Sequence, residues 1–202
     1  MQTTTSPRPR RGHRKLFVGV ALVLAVTGAL TAQRVLAPSW SPWEALRGQP
    51  TAADGAIPAG LRLSVHDEAS PAVARLDEDL LAALREAAAD ATADGVQLLV
   101  SSGWRSAAYQ DRLLRDAVDT YGSRSEALRW VATAATSAHV SGDAVDIGPY
   151  DSSDWLVRHG EDYGLCQIYG NEPWHFELRP GTTTEGCPPR YANPAEDPRM
   201  QL

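Results

Sequence analysis

Three side chains of metal-ligating type and one further carboxylic acid stand in a compact order in this chain. The first stretch reads Ser137-Ala138-His139-Val140-Ser141-Gly142-Asp143-Ala144-Val145-Asp146, and the second reads Glu172-Pro173-Trp174-His175. Two imidazoles and one carboxylate can hold a zinc ion and leave its fourth position open. A catalytic zinc needs that position for water, whereas a structural zinc is closed by four protein ligands. With one more glutamate as proton carrier, the set points to metal-assisted hydrolysis.

Spacing narrows the choice of ligands. Asp146 lies seven residues after His139, and Gly142 between them permits a tight turn. Asp143 and Asp146 are three positions apart, so a strand would point them to opposite faces and only one should be a ligand. His175 must be brought in by the fold. For the proton carrier, strict alternation puts Glu177 on the face of His175 and Glu172 on the other. Glu172 precedes Pro173 at the start of a strand, where alternation breaks. The residues alone leave both acids open, with Glu172 ahead. His13, His66 and His159 stand outside any such pattern and read as surface or structural groups.

The elements that must position these residues follow from periodicity. Asp77 can cap a helix running to about Asp94, with Leu80, Leu81 and Leu84 on one side and Gly95 as its stop. Val96 to Ser101 reads as a short apolar strand. Ser106 can cap the next helix, whose stripe is Tyr109, Leu113, Leu114, Ala117, Val118 and Tyr121, and which Gly122 ends. A short helix is expected over about Ser125 to Ala132, a strand over Ala144 to Ile147, and a helix from Ser153 to about Tyr163. Leu165 to Tyr169 and Trp174 to Leu178 read as two strands around a turn at Gly170-Asn171. The order predicts an α+β domain, with helices packed on a small antiparallel sheet. The tail after Cys187, with four prolines, reads as irregular.

The flanks bear on location. Residues 1–15 hold Arg8, Arg10, Arg11, Arg14 and Lys15 and no acid, and Leu16 to Ala32 carry no charge. As a helix that run spans roughly 25 Å, short of a hydrocarbon core of about 30 Å, and Val35 to Ala37 could extend it. Residues 16–36 therefore read as a membrane anchor or as a cleaved signal peptide. The lack of a clean small-x-small cleavage pattern favours the anchor. The basic flank should stay in the cytoplasm, and the remainder is expected outside it, on the outer face of the membrane or secreted. Residues 37–60, rich in Pro, Ala, Gly and Ser with Trp40 and Trp43, read as a linker, and the globular domain is expected over 61–202. Beyond the basic flank the chain carries a net formal charge of about −11. That excludes a nucleic-acid partner, which demands a basic surface. Cys166 and Cys187 are the two cysteines. Outside the cytoplasm they are expected to pair, closing a loop worth roughly 3 kcal/mol in the chain-entropy model.

Ser137–Asp146 followed by Glu172–His175 resembles the metal signature of the zinc D-Ala-D-Ala carboxypeptidases. This family includes the vancomycin-resistance D,D-carboxypeptidases and related L,D-carboxypeptidases of bacterial cell walls. Ser102-Gly103-Trp104-Arg105-Ser106, then Tyr109-Gln110, resembles the segment that precedes the family's metal site, with Trp104 where tyrosine is common. The likeness runs from about Leu61 to Leu178. It implies one zinc ion on His139, Asp146 and His175, and Glu172 as general base and acid. It also implies Arg105 at the developing oxyanion, and Ser137 and Gln110 at the peptide terminus. The implied fold is the small α+β one shared with the hedgehog signalling domain. The implied activity is D-alanyl-D-alanine carboxypeptidase action on peptidoglycan stem peptides. The rival readings are an L,D-carboxypeptidase or endopeptidase of the same chemistry, and a non-catalytic zinc-bearing wall-binding module.

Overall fold

Two apolar runs, the one ending at Ser102 and the one following Asp143, pair as the central strands of a five-stranded sheet. In this computed structural model, which describes residues 48–201, the strands are β1 (Leu63–Ser64), β2 (Leu99–Ser102), β3 (Ala144–Gly148), β4 (Leu165–Gln167) and β5 (His175–Leu178). Their order is β1-β2-β3-β5-β4, and every pairing is antiparallel. Register does the positioning. Asp146 lies opposite His175 across β3 and β5, and opposite Ser102 across β3 and β2, where an irregularity interrupts the ladder between Val100 and Ser102.

Strand alternation divides the sheet into two chemistries. Val145, Ile147 and Phe176 point to one face and join Val100 in the main core. Asp146, His175 and Glu177 occupy the alternate positions. The helices are α1 (Pro71–Ala74), α2 (Glu78–Ala93), α3 (Ala107–Tyr121), α4 (Arg124–Ala127), α5 (Ala138–Ser141), α6 (Tyr150–His159) and α7 (Thr182–Glu185). Residues of α1, α2 and α6 close the apolar face, whereas α3 and α4 pack a separate small cluster around Leu114, Ala117 and Ala127. Asp77 caps α2 by accepting the Asp79 and Leu80 amides, each at 3.0 Å. The helix buries Leu80, Leu81, Leu84, Ala87, Ala88 and Ala91 on one stripe. Trp155 and Leu156 of α6 complete the same core. Each large apolar side chain so covered contributes roughly 1.5–3 kcal/mol relative to exposure.

Several boundaries differ from the sequence expectation. Strand β2 begins at Leu99 rather than Val96, because Val96 is held by the end of α2 through its amide to the Ala91 carbonyl, 2.8 Å. The helix expected over 125–132 stops at Ala127. Beyond it the chain turns, so that the Ala132 carbonyl can accept from the Gln110 side chain at 2.9 Å. Of the α3 stripe only Leu114 and Ala117 are buried, and Gln110, outside the stripe, is buried with them. Its last residue, Tyr121, is half exposed and stacks on Trp130. Helix α6 starts at Tyr150 and passes into a 3-10 turn over Gly160–Tyr163.

The compact unit begins at Gln49, twelve residues before the Leu61 boundary drawn from composition. Asp54 accepts from the Ser106 hydroxyl at 3.0 Å, and Ile57 packs against the core. Residues 49–60 thus belong to the fold and not to a free linker. The basic flank, the apolar run 16–36, Trp40 and Trp43 lie outside the described residues. Among the described residues, no helix is long and apolar enough to cross a membrane. Cys166 in β4 is bonded to Cys187, with Cα atoms 5.6 Å apart. The tail beyond it is not loose. It forms 3-10 turns at Pro194–Glu196 and Pro198–Gln201, and Asp197 is fully buried.

Candidate metal centre

The β3–β5 register puts the Asp146 carboxylate beside the His175 ring, with Oδ1 3.2 Å from Nδ1. His139 arrives from α5, a single turn that ends at Gly142. There the backbone adopts φ of +92°, and the space for a side chain is taken by the Arg75 carbonyl. Glycine is required on both counts. His139 Nε2 stands 3.3 Å from the same Asp146 oxygen. One donor atom from each of His139, Asp146 and His175 lies within 4.8 Å of the others, and all three residues are buried. Asp143, three positions before Asp146, is exposed and accepts from Ser141 instead.

The ring nitrogens away from this centre are both engaged. His139 Nδ1 donates to the Gly103 carbonyl at 2.8 Å, which leaves Nε2 with its lone pair facing Asp146. His175 Nε2 faces Glu177 Oε1 at 3.3 Å, which leaves Nδ1 for the centre. Metal-binding histidines are oriented in this way, by a carbonyl or carboxylate on the far nitrogen. Burial and the Arg105 charge press the His139 pKa down. Burial also opposes charge on His175, but hydrogen bonds to Asp146 and Glu177 outweigh it and lift that ring to about 9. Burial acts upward on Asp146, yet His139, His175 and Arg105 hold it well below the usual carboxylate range. The Asp146 carboxylate therefore presents a negative charge at the spot where the three donors meet. The residues fit a divalent cation, and nitrogen and oxygen donors suit zinc.

Glu172 sits in the loop before β5, buried, with Oε2 3.8 Å from His175 Nδ1. Its Oε1 has no hydrogen-bond partner among the described residues. Burial raises its pKa to about 7, which suits a group that must both take and return a proton near neutral pH. Glu177 has the opposite setting. Its carboxylate accepts from Arg179 at 2.6 Å and from Arg199 at 2.8 Å. Burial would raise its pKa, but the hydrogen bonds from His175 and Arg199 bring it to about 2. Alternation did place Glu177 beside His175, as a holder of the ring. Glu172, by contrast, keeps one carboxylate oxygen without a hydrogen-bond partner among the described residues.

Arg105 donates to Asp146 Oδ2 at 2.9 Å, to Ser102 at 2.8 Å and to Gln110 Oε1 at 3.2 Å. Gln110 is buried and braces this guanidinium, while its amide nitrogen is bound to Ala132. Ser137 is buried at the start of α5, and its side chain does not cap that helix. All of these border one cleft of about 210 Å³, walled by Trp130 and Trp174, each 40 % exposed. Trp104 packs elsewhere, beneath the Arg75 guanidinium at 4.3 Å. Tyr169, Asp197 and Arg199 stand behind the His175 ring, Arg199 through Glu177 and Asp197 through Tyr169, and sequence reading did not single them out. Tyr169 lies against the His175 ring at 5.1 Å, and no local pattern marks any of the three.

Gly103 links fold and site. A methyl group there would collide with the Ala72 carbonyl, and the carbonyl of Gly103 is the one that orients His139. The Gly103→Ala variant is expected to lose about 1–3 kcal/mol in urea unfolding, the usual range for overpacking, and to bind zinc more weakly than wild type. Unchanged stability and zinc affinity would show that β2 can shift without disturbing His139.

Comparison with known proteins agrees with this geometry. A D-alanyl-D-alanine carboxypeptidase of Enterococcus faecalis (strain ATCC 700802 / V583) is 32% identical over 111 residues, which cover 43% of this chain and 41% of the relative. The chain thus spans less than half the length of that relative. A structure of VanYB in complex with D-Alanine-D-Alanine aligns with a TM-score of 0.51 at 26% identity, over 55% of this chain and 75% of the other. A vancomycin resistance D,D-pentapeptidase VanY variant from a VanB-type cassette, in complex with Zn(II), shares the fold at a TM-score of 0.50. It is 24% identical over 64% of this chain and 83% of its own. The sequence profile described as VanY: D-alanyl-D-alanine carboxypeptidase matches residues 73–180, more than half of the chain, from α1 through the last strand of the sheet. With His139, Asp146, Glu172 and His175 all inside that stretch, the chain belongs to the VanY D-alanyl-D-alanine carboxypeptidase family.

Proposed function

We propose that the protein is a zinc-dependent carboxypeptidase that removes the terminal D-alanine from peptidoglycan stem peptides ending in D-Ala-D-Ala. One observation carries the reading above all. A buried carboxylate whose pKa burial raises to about 7, with one oxygen unpartnered among the described residues, stands beside three donors that could hold a single cation. A structural metal site would need no such carboxylate. His139, Asp146 and His175 would hold the zinc, which when bound supplies Lewis acidity and an acidified water.

The chain's own residues account for the rest of the reaction. Glu172 takes the proton of the attacking water and returns it to the leaving amine. Arg105 has donors beyond the three engaged in the free protein, and its fixed charge favours the negative oxygen that develops at the scissile carbonyl. Groups of this kind are worth about 3 kcal/mol in other hydrolases. Lysine at position 105 should substitute poorly, since it lacks the planar fork that reaches Asp146, Ser102 and Gln110 together. Ser137 and Gln110 border the cleft where the peptide terminus would lie, and Trp130 and Trp174 shape its walls. The basic flank and apolar run before the domain would place it on the outer face of the membrane, where this substrate is found.

The test is digestion of defined penta- and tetrapeptide stems with weighing of the products. Loss of a single alanine from the pentapeptide, with the tetrapeptide left intact, is the expected result. Preferential trimming of the tetrapeptide would assign an L,D specificity, and internal fragments would assign an endopeptidase.

A further inference from the structure

The His175 ring is enclosed by a closed circuit of side chains, half of which come from the C-terminal tail. Its Nε2 faces Glu177 Oε1 at 3.3 Å. Arg199 donates to both oxygens of that carboxylate, Nη1 to Oε2 at 2.8 Å and Nη2 to Oε1 at 3.3 Å. Arg199 is held in turn by Asp197, whose two oxygens accept from Nε at 3.1 and 3.0 Å. Asp197 is fully buried and accepts from the Tyr169 hydroxyl at 3.0 Å. The Tyr169 ring lies against His175, closing the circuit. The tail is fixed on the same side by the Cys166–Cys187 bond, and by backbone hydrogen bonds from Tyr191 to Ile168 and from Gly170 to Tyr191. It lies beyond the stretch that matches the family.

We infer that Arg199 is a positioning residue for the metal centre: by fixing the Glu177 carboxylate, it holds the His175 ring with Nδ1 turned toward His139 and Asp146. The inference rests on His175 serving as a metal ligand. Arg179 also pairs with Glu177, but it reaches one oxygen only. The Arg199 fork spans both and so sets the rotation of the carboxylate, which a single contact leaves free. A rotated Glu177 no longer presents an oxygen to Nε2, and the ring loses the partner that selects its tautomer. Loss of such an outer partner typically weakens metal binding by about 10–100-fold.

The test is made on the full chain, with zinc affinity read by competition against a chromophoric chelator and folding read by thermal melting of the metal-free protein. Arg199→Ala is expected to raise the zinc Kd at least about tenfold. Glu177→Gln should do the same, and adding Arg199→Ala to Glu177→Gln should change the Kd by less than about twofold, because both act along one route. Arg199→Lys, which keeps the charge but not the fork, should recover only part of the loss. If the alanine variant does not fold, Arg199→Lys carries the test, with a Kd raised about threefold or more expected. A Kd within about twofold of wild type in a folded Arg199 variant overturns the inference. So does an Arg199→Ala effect that persists undiminished in the Glu177→Gln background. If wild-type protein itself fails to bind zinc, the metal reading falls and this inference with it. Tight wild-type binding with an indifferent Arg199 variant removes the inference alone.

Discussion

Replacement of Glu172 by alanine is expected to lower turnover of a D-Ala-D-Ala substrate by about 10²–10⁴-fold, the usual worth of a positioned general acid–base group. Zinc content should not fall, because Glu172 is not among the three converging donors. Stability should not fall either. In the folded protein Glu172 is buried, one of its oxygens lacks a hydrogen-bond partner among the described residues, and its pKa is raised by burial. Holding a polar group in that state costs free energy. The alanine variant should therefore melt no lower than wild type, a gain in stability at the expense of function that active sites commonly show. Steady-state kinetics, metal analysis and calorimetry on the same preparation read all three. Near-normal turnover with zinc bound would sink the assignment of Glu172. It would not transfer the role easily to Glu177, whose carboxylate is held ionised by two arginines.

The second large effect is expected at Asp146. Its two oxygens serve different partners: Oδ1 faces both histidines, and Oδ2 accepts from Arg105. Asp146→Ala removes one of the three converging donors and the counter-charge of a largely buried guanidinium in one step. Breaking a buried ion pair from one side typically costs 3–5 kcal/mol, because the remaining charge is left uncompensated. Urea unfolding of the metal-free variant should show a loss of about that size, and zinc should no longer be retained against a chelator. Asp146→Asn keeps the shape and can still accept from Arg105, so it should recover much of the stability but not the metal. Retention of tight zinc binding by Asp146→Ala would remove this residue from the ligand set and undo the centre as described.

Legibility differed by residue for identifiable reasons. Helix α2 was readable almost to the residue, because Asp77 caps it and its leucines repeat at helical spacing. The end of α4 was not, since nothing local stops a helix at Ala127; the chain turns there to meet Gln110 from another helix. The start of the domain was misplaced because residues 49–60 look like linker in composition. Their attachment runs through Asp54 and Ile57, whose partners lie far along the chain.

The sequence by itself determined the chemistry available: two histidines, an aspartate and a glutamate in motifs spaced as in a known family, and an α+β order of elements. Residue type and local periodicity suffice for that, because donor atoms and strand alternation are properties of short segments. Only the tertiary structure set the two glutamates apart in environment. Glu172 and Glu177 are alike as residues, and what separates them is desolvation on one side and two guanidinium groups on the other, one of them from a tail more than twenty residues downstream. Burial and long-range charge depend on everything packed around a group, and no window along the chain contains them.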